Sequence, residues 1–156
     1  MPYLIDGHNL IPKLGLRLDS MDDEEQLIPR LQEFCRLRRA QVEVYFDGAL
    51  PGQVSTRKAG AVTAHFVRKG SSADAAIEVR LARLGKAARN WTVVSSDRRV
   101  QGAAGAAHAN VLSSEDFAHE MSKAQALRSA VSQHDATLAP GEVEEWLDIF
   151  NKRRND

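Results

Sequence analysis

The sequence predicts an α/β protein with a central parallel sheet that is covered by helices on both faces. Short apolar segments alternate with helical patterns along most of the chain, and several of these segments stop at an aspartate, as Tyr3-Leu4-Ile5 stops at Asp6. Continuous apolar strands that alternate with helices are typical of parallel sheets, because each crossover lays a helix over the sheet.

The strands are predicted from short apolar runs rich in β-branched and aromatic residues. In chain order they cover residues 3–5, 42–46, 61–67, 91–94 and 109–112. The strand pattern is weakest in the third segment, residues 61–67. The second ends at Asp47-Gly48 in the same way as the first ends at Asp6-Gly7.

The helices are predicted from apolar residues that recur at helical spacing. They cover residues 22–40, 73–84, a short stretch through residue 100, a segment after residue 114, and residues 142–150. Pro29 predicts a kink or a late start of the first helix, because it lacks a backbone N–H. Ser71 or Ser72 is expected to cap the second helix, and Ser113 or Ser114 the fourth.

The length predicts one domain. The 156 residues are close to the usual domain size of roughly 100–150 residues, and the 43% apolar content is enough for a core. We expect a domain over residues 1–128. Residues 129–156 are expected to form a linker, to residue 140, and an amphipathic helix that packs on the same domain.

Charge and cysteine content exclude several classes. Lys+Arg and Asp+Glu both total 21, so net charge gives no argument for nucleic-acid binding and only local charge can. The single Cys35 excludes an internal disulfide and a Cys-rich zinc site, and its apolar neighbours predict a buried thiol. The N-terminus does not resemble a signal peptide, and no apolar run is long enough to span a membrane. We therefore expect a cytoplasmic protein.

Four aspartates are expected at one edge of the sheet. Asp6, Asp47 and Asp97 each follow a predicted strand, and Asp74 lies in the first turn of a helix. The carboxyl ends of parallel strands share one edge, where ligands bind. Four carboxylates gathered there would repel each other unless a cation neutralised them, and Mg²⁺ or Mn²⁺ prefers such oxygen ligands.

Each of these residues also has an ordinary interpretation. An isolated aspartate after a strand is usually a turn former or a helix cap, so only the convergence of all four is informative. Asn9 could cap the following segment or orient a metal-bound water. His8 has no second histidine nearby and is not expected to bind metal. Glu78, one helical turn after Asp74, could support it.

Basic residues near the same edge are candidates for holding a phosphate backbone. Arg68, Lys69 and Arg98 are the best placed, and Ser96 and His8 complete the expected substrate contacts. The edge carries few aromatic residues, so we expect neither a base-stacking surface nor sequence specificity.

Four ordered motifs resemble those of the YacP-like NYN nucleases, a branch of the PIN-like superfamily. They are Ile5-Asp6-Gly7-His8-Asn9-Leu10-Ile11, Tyr45-Phe46-Asp47-Gly48, Ser72-Ala73-Asp74-Ala75-Ala76-Ile77 and Val94-Ser95-Ser96-Asp97-Arg98-Arg99-Val100. The similarity covers roughly residues 3–120. No single motif is diagnostic, but the four in order are fairly specific.

The resemblance implies a PIN-like three-layer α/β/α sandwich with a central parallel sheet, and RNA cleavage that depends on a divalent metal. By position, Asp6, Asp74 and Asp97 would be the metal ligands and main catalytic acids. Asp47 would be a fourth acid, and Asn9 a polar partner of Asp6. The cofactor would be Mg²⁺ or Mn²⁺, and the partner RNA.

Two other enzyme classes fit poorly. A haloacid-dehalogenase-type phosphatase needs a second aspartate two residues after Asp6, where His8 stands, and a Toprim-type nuclease needs a glutamate after its first strand. The alternative that remains is a PIN-like scaffold that binds RNA or a ribosome without cleaving. The sequence leaves open which RNA is cut, the cleavage mode, the number of metals and the oligomeric state.

Overall fold

The computed structural model of the chain describes residues 1–15, 22–49, 52, 55–68 and 71–134. The chain divides into two compact units, Met1–Met121 and Ser122–Asp156. All six strands described below belong to the first unit. Of the second unit, the structure describes residues 122–134, which are helical. The predicted C-terminal helix at 142–150 lies outside the described residues.

The described elements alternate between strands and helices, as the sequence predicts. They are β1 Pro2–Asp6, α1 Gly7–Leu10, a 3₁₀ turn Ile11–Leu14, α2 Asp22–Arg38, β2 Gln41–Ala49, β3 Ser55–Ala59, β4 Val62–Arg68, α3 Ala73–Leu84, a 3₁₀ turn Gly85–Asn90, β5 Thr92–Val94, α4 Arg98–Ala106, β6 Asn110–Leu112 and α5 Ser114–His134.

The sheet is mixed but mostly parallel. Its strand order is β3-β4-β2-β1-β5-β6, and every neighbouring pair is parallel except β3 and β4. The predicted parallel sheet is therefore confirmed for five strands. The antiparallel edge strand β3 was not predicted, because four of its five residues are exposed and its sequence has no apolar alternation.

Helices cover both faces of this sheet, which confirms the three-layer α/β/α arrangement. On one face, Leu4 packs with apolar residues of α3, α4 and β5, which include Ile77, Val100 and Val93. On the other, Tyr3 of β1 contacts Phe34 of α2 and Phe117 of α5, with ring centroids 5.7 and 5.4 Å away. Successive residues of β1 thus enter opposite core layers, as side-chain alternation requires.

Three local expectations need correction. Helix α2 begins at Asp22, well before Pro29, so the late start is wrong. The buried Leu27 and Leu31 on either side of the proline hold both parts of the helix in the core. Strand β2 does not end at Asp47 but continues to Ala49 through an irregularity in its pairing with β4. Helix α5 extends to His134, so residues 129–134 of the expected linker are helical.

Candidate active site

The four predicted aspartates lie where neighbouring parallel strands end. Asp6 is the last residue of β1, and Asp97 immediately precedes α4 after the end of β5. Asp47 lies near the end of β2, and Asp74 is in the first turn of α3. Because β1 pairs in parallel with β2 and β5, and β2 pairs in parallel with β4, which precedes α3, these positions lie toward the same end of the strands.

The most deeply placed of the four carboxylates is that of Asp6, which is only 7% exposed. Its pKa is raised to about 6, mainly by burial and in addition by the negative charges of Asp74 and Asp47. The backbone N–H of Asn9 and the imidazole of His8 oppose it only in part. The folded protein therefore carries Asp6 in an environment that disfavours its charge.

The same repulsion links the other aspartates. Burial raises the pKa of Asp74, the charges of Asp97 and Asp47 raise it further, and the guanidinium of Arg99 lowers it. Asp74 thus interacts with every other member of the set. We call Asp6, Asp47, Asp74 and Asp97 the acidic cluster. The four carboxylates are thus electrostatically coupled at this edge of the sheet.

Asp97 is held in place by the start of α4. Its carboxylate caps the helix by accepting a hydrogen bond from the backbone N–H of Arg99, at 2.8 Å. Its own backbone N–H donates to the Oγ of Ser95, which is fully buried. Gln101 donates from its side chain to the Ser95 carbonyl, at 2.9 Å. These bonds fix the carboxylate at the edge of the sheet.

Asn9 connects three segments that are distant in sequence. Its Oδ1 accepts hydrogen bonds from the backbone N–H of Ser96, at 2.8 Å, and from the hydroxyl of Ser114, at 2.6 Å. Its backbone N–H also lowers the pKa of Asp6. Asn9 therefore ties the segments after β1 and β5 to the start of α5, and its side-chain oxygen is directed at protein donors.

Ser96 belongs to the same network. Its hydroxyl donates to Glu115 at 2.7 Å and accepts from the backbone N–H of Ser114 at 3.0 Å. Glu115 also pairs with Lys13 at 2.8 Å, and Lys13 and then Ser96 lower the Glu115 pKa to about 2. Sequence reasoning missed Ser114 and Glu115 as members of this site, since the contacts join residues far apart in the chain.

His8 lies between two carboxylates. Its Nδ1 is 2.7 Å from Asp47 and its Nε2 is 2.7 Å from Glu24 of α2. Burial lowers its pKa, but hydrogen bonds to Asp47 and Glu24 outweigh this and raise it above the ordinary value. The imidazole therefore holds Asp47 and connects it to α2. Glu24 carries no local signal that could have identified it from the sequence.

The basic residues that were expected to contact phosphate lie in different parts of the chain. Arg68 ends β4 and Arg98 begins α4, and both are exposed. Lys69 lies outside the described residues. Arg99, next to Arg98, forms an ion pair with Glu78 at 2.8 Å, so Glu78 reaches the acidic cluster through Arg99.

Gly7 allows β1 and β2 to meet closely beside Asp6. A Cβ at this position would lie 2.4 Å from the ring of Phe46 and 3.0 Å from the carbonyl oxygen of Tyr45. We expect Gly7→Ala to lower the free energy of unfolding by about 1–3 kcal/mol through overpacking. Urea unfolding would measure this.

The matched control is Gly102→Ala in α4, where the added Cβ would have no neighbour within 4 Å. Because alanine favours a helix interior over glycine, Gly102→Ala should stabilise by about 0.5–1 kcal/mol. Equal effects of the two substitutions would show that the contact with Phe46 is not what requires glycine at position 7.

The acidic cluster supplies the donor chemistry of a hard divalent cation. Among the described residues, no three His, Cys, Asp or Glu side chains are grouped closely enough to enclose an ion. The donors are nevertheless all carboxylate oxygens, which Mg²⁺ and Mn²⁺ prefer. The raised pKa of the buried Asp6 marks a site that added positive charge would stabilise. The residues therefore fit such an ion chemically.

Most of the chain matches one known domain. A sequence profile of the YacP-like NYN domain matches residues 3–151. The chain belongs to the YacP-like NYN domain family. The resemblance of its four motifs is thereby confirmed, and the NYN domain has a PIN-like nuclease fold.

Solved structures agree with this assignment. A crystal structure of Rae1 (YacP) from Bacillus subtilis is 25% identical, covers 99% of this chain and 95% of its own, and has a TM-score of 0.63. A tryptophan-to-leucine mutant of Rae1 (YacP) is 22% identical, covers 94% and 90%, and has a TM-score of 0.71. No curated protein matches significantly. Among the described helices of this NYN domain, none is long and apolar enough to cross a membrane.

Proposed function

We propose that the chain is a divalent-metal-dependent ribonuclease that hydrolyses RNA phosphodiester bonds at the acidic cluster. The observation that carries the proposal is the convergence of four carboxylates on one sheet edge, with the buried Asp6 raised in pKa to about 6 by its surroundings. A fold gains no stability from crowded carboxylates, so their presence favours a functional role. Membership of the NYN family supports nuclease chemistry.

In this proposal Asp6, Asp74 and Asp97 hold Mg²⁺ or Mn²⁺. When bound, such an ion polarises a phosphoryl oxygen, lowers the pKa of a water and orients an in-line displacement. Asp47 is a fourth acid at the edge of the site, and it is kept in place by His8 at 2.7 Å. Asn9 sets the position of the loop that carries Asp97 through its bond to the Ser96 backbone.

Substrate contacts are assigned to exposed cations. Arg68 and Arg98, with Lys69, are proposed to bind phosphate groups on either side of the reacting one. Ser96 and His8 use their side-chain polar atoms on protein partners, so we assign them to positioning rather than to substrate binding. We place this activity in the cytoplasm, with RNA that is either free or presented on a ribosome.

The test is cleavage of an end-labelled single-stranded RNA with Mn²⁺, compared with EDTA. We expect cleavage by the wild type, none in EDTA, and none by Asp6→Asn. Asp116→Asn is the matched control, since Asp116 is an exposed aspartate outside the acidic cluster. If the folded wild type cut neither free RNA nor RNA on translating ribosomes but still bound RNA, the non-catalytic scaffold would replace this proposal.

A further inference from the structure

A groove runs along α3, on the face of the sheet that α3 covers. It has a volume of about 520 Å³, and strands β2 and β4 form its opposite wall. Its lining includes Tyr45, His65, Ser72, Val79, Arg80 and Arg83. We call it the α3 groove. Its volume falls within the range of roughly 300–1,000 Å³ that is usual for small-ligand sites.

The floor of the α3 groove is an aromatic pair. The rings of Tyr45 and His65 are stacked, with centroids 4.6 Å apart and planes 13° from parallel. Tyr45 is 5% exposed, so the half-buried His65 is the member of the pair that is open to a ligand. No base-stacking surface was expected from the sequence, since Tyr45 and His65 come together only when β2 pairs with β4.

Glu43 keeps this floor rigid. Arg80 donates to both of its carboxylate oxygens, at 3.1 and 3.0 Å, and Tyr45 donates its hydroxyl at 3.3 Å. His65 Nε2 lies 3.4 Å from the same carboxylate. Burial raises the pKa of Glu43, but the bonds from His65 and Arg80 outweigh it and keep the pKa below its ordinary value. The aromatic pair is therefore preformed.

The mouth of the α3 groove is apolar and cationic. Val79 is 52% exposed, a large fraction for a valine in the middle of a helix. Arg83, one turn later on α3, is exposed, its positive charge acts on Tyr45, and among the described residues it forms no ion pair. An apolar side chain beside an uncompensated guanidinium suits a ligand that has both a flat ring and a negative charge.

One end of the α3 groove lies beside members of the acidic cluster in the chain. Tyr45 precedes Asp47 by two residues on β2, and Ser72 precedes Asp74 by two residues at the start of α3. Ser72 and Ala75, which both line the groove, flank Asp74 in the first turn of α3. The groove therefore begins within one helical turn of Asp74.

We propose that the α3 groove binds the nucleotide next to the phosphodiester that is cut. Its base stacks on His65 and contacts Val79, while Arg83 binds the following phosphate. Stacking accepts any base, so this subsite would hold the RNA strand without selecting its sequence. The inference rests on the proposed function, because it takes the acidic cluster as the place of cleavage.

The test uses two groove variants and two matched controls. Val79→Glu and Arg83→Glu alter the mouth of the groove. Val111→Glu, at an exposed valine on β6, and Arg36→Glu, at an exposed arginine on α2, make the same changes elsewhere. KM and kcat are measured for a short single-stranded RNA with Mn²⁺, and hydrolysis of bis(p-nitrophenyl) phosphate, a diester without bases, is measured in parallel.

We expect each groove variant to raise KM for RNA at least about tenfold, with kcat and hydrolysis of the small diester nearly unchanged. The controls should match the wild type. Groove variants that match the controls, while the wild type cleaves RNA, would overturn the α3 groove and leave the proposed function standing.

A second readout is independent of cleavage. RNA that contains 4-thiouridine is crosslinked to the protein, and the modified peptide is identified by mass spectrometry. Crosslinks at β4 around His65 that Arg83→Glu weakens would support the groove even if the wild type cut no RNA. Crosslinks confined to other surfaces, or none at all, would overturn it.

Discussion

Asp74→Asn is expected to lower kcat for Mn²⁺-dependent RNA cleavage by about 1,000-fold, which corresponds to about 4 kcal/mol of lost transition-state stabilisation. Asp74 interacts with the three other members of the acidic cluster, so its loss should weaken the cation site as a whole. It is partly exposed in the first turn of α3, and asparagine has the same shape, so the fold should tolerate the change. Single-turnover kinetics would measure the effect.

The affinity of Asp74→Asn for RNA shows whether a loss of cleavage comes from catalysis or from substrate binding. Binding of the same RNA should stay within about threefold of wild type, since the phosphate contacts are assigned to cations elsewhere. Asp116→Asn should leave both rate and affinity unchanged. An Asp74→Asn variant that cleaves as fast as the wild type would contradict a catalytic role for the acidic cluster and favour an RNA-binding scaffold.

Asp6→Asn is expected to abolish cleavage and yet to stabilise the metal-free protein. Burial and the charges of Asp74 and Asp47 raise the Asp6 pKa from 3.8 to about 6. This rise corresponds to as much as about 3 kcal/mol of destabilisation when the carboxylate is ionised. Asparagine removes the charge and keeps the shape. Urea unfolding in EDTA, at a pH of about 8, would measure the gain in the free energy of unfolding.

The pH dependence gives this prediction a sign that can be checked. Because the folded state binds the Asp6 proton more tightly than the unfolded state, this residue's contribution to wild-type stability falls as pH rises from about 4 to about 6. The difference between Asp6→Asn and wild type should therefore be small below about pH 4 and full above about pH 6. A variant less stable than the wild type at every pH would show that Asp6 is not electrostatically strained.

A more stable Asp6→Asn variant would show that the acidic cluster destabilises the metal-free fold, as is expected of residues kept for function and not for stability. Each carboxylate added to the sheet edge increases repulsion, and the positive charge of Arg99, the imidazole of His8 and hydrogen bonds offset it only in part. A bound cation would remove the repulsion, so stability lost in the metal-free protein would be regained on binding. The negative charge of Asp6 therefore favours binding of the cation and lowers the stability of the metal-free protein.

The sequence was sufficient to predict the elements that carry strong apolar patterns. Tyr3-Leu4-Ile5 forms the centre of β1, where all three residues are buried, and the helical spacing of Ile77 and Leu81 places them in the core beneath α3. It did not predict β3, whose exposed residues leave no apolar periodicity to detect. Strand β2 extends past Asp47 because pairing with β4 resumes at Ala49, which is a tertiary effect.

The candidate active site was likewise predictable only in part. The positions of Asp6 and Asp97 follow from where β1 and β5 end, which can be derived from the chain alone. The hydrogen bonds that hold the site together cannot be derived in this way. Asn9 bonds to Ser114, which lies 105 residues away, and His8 bonds to Glu24 only because α2 packs beside it. Ser72 was one of two candidate caps of α3, and its hydroxyl accepts from the N–H of Ala75 at 3.1 Å.

A calorimetric titration of Mn²⁺ into the wild type, Asp74→Asn and Asp116→Asn would test whether the acidic cluster binds metal. The acidic cluster predicts saturable binding to the wild type and to Asp116→Asn, and at least about tenfold weaker binding to Asp74→Asn. Equal Mn²⁺ binding by all three proteins, or no binding by the folded wild type, would contradict the claim that these carboxylates form the metal site of a ribonuclease.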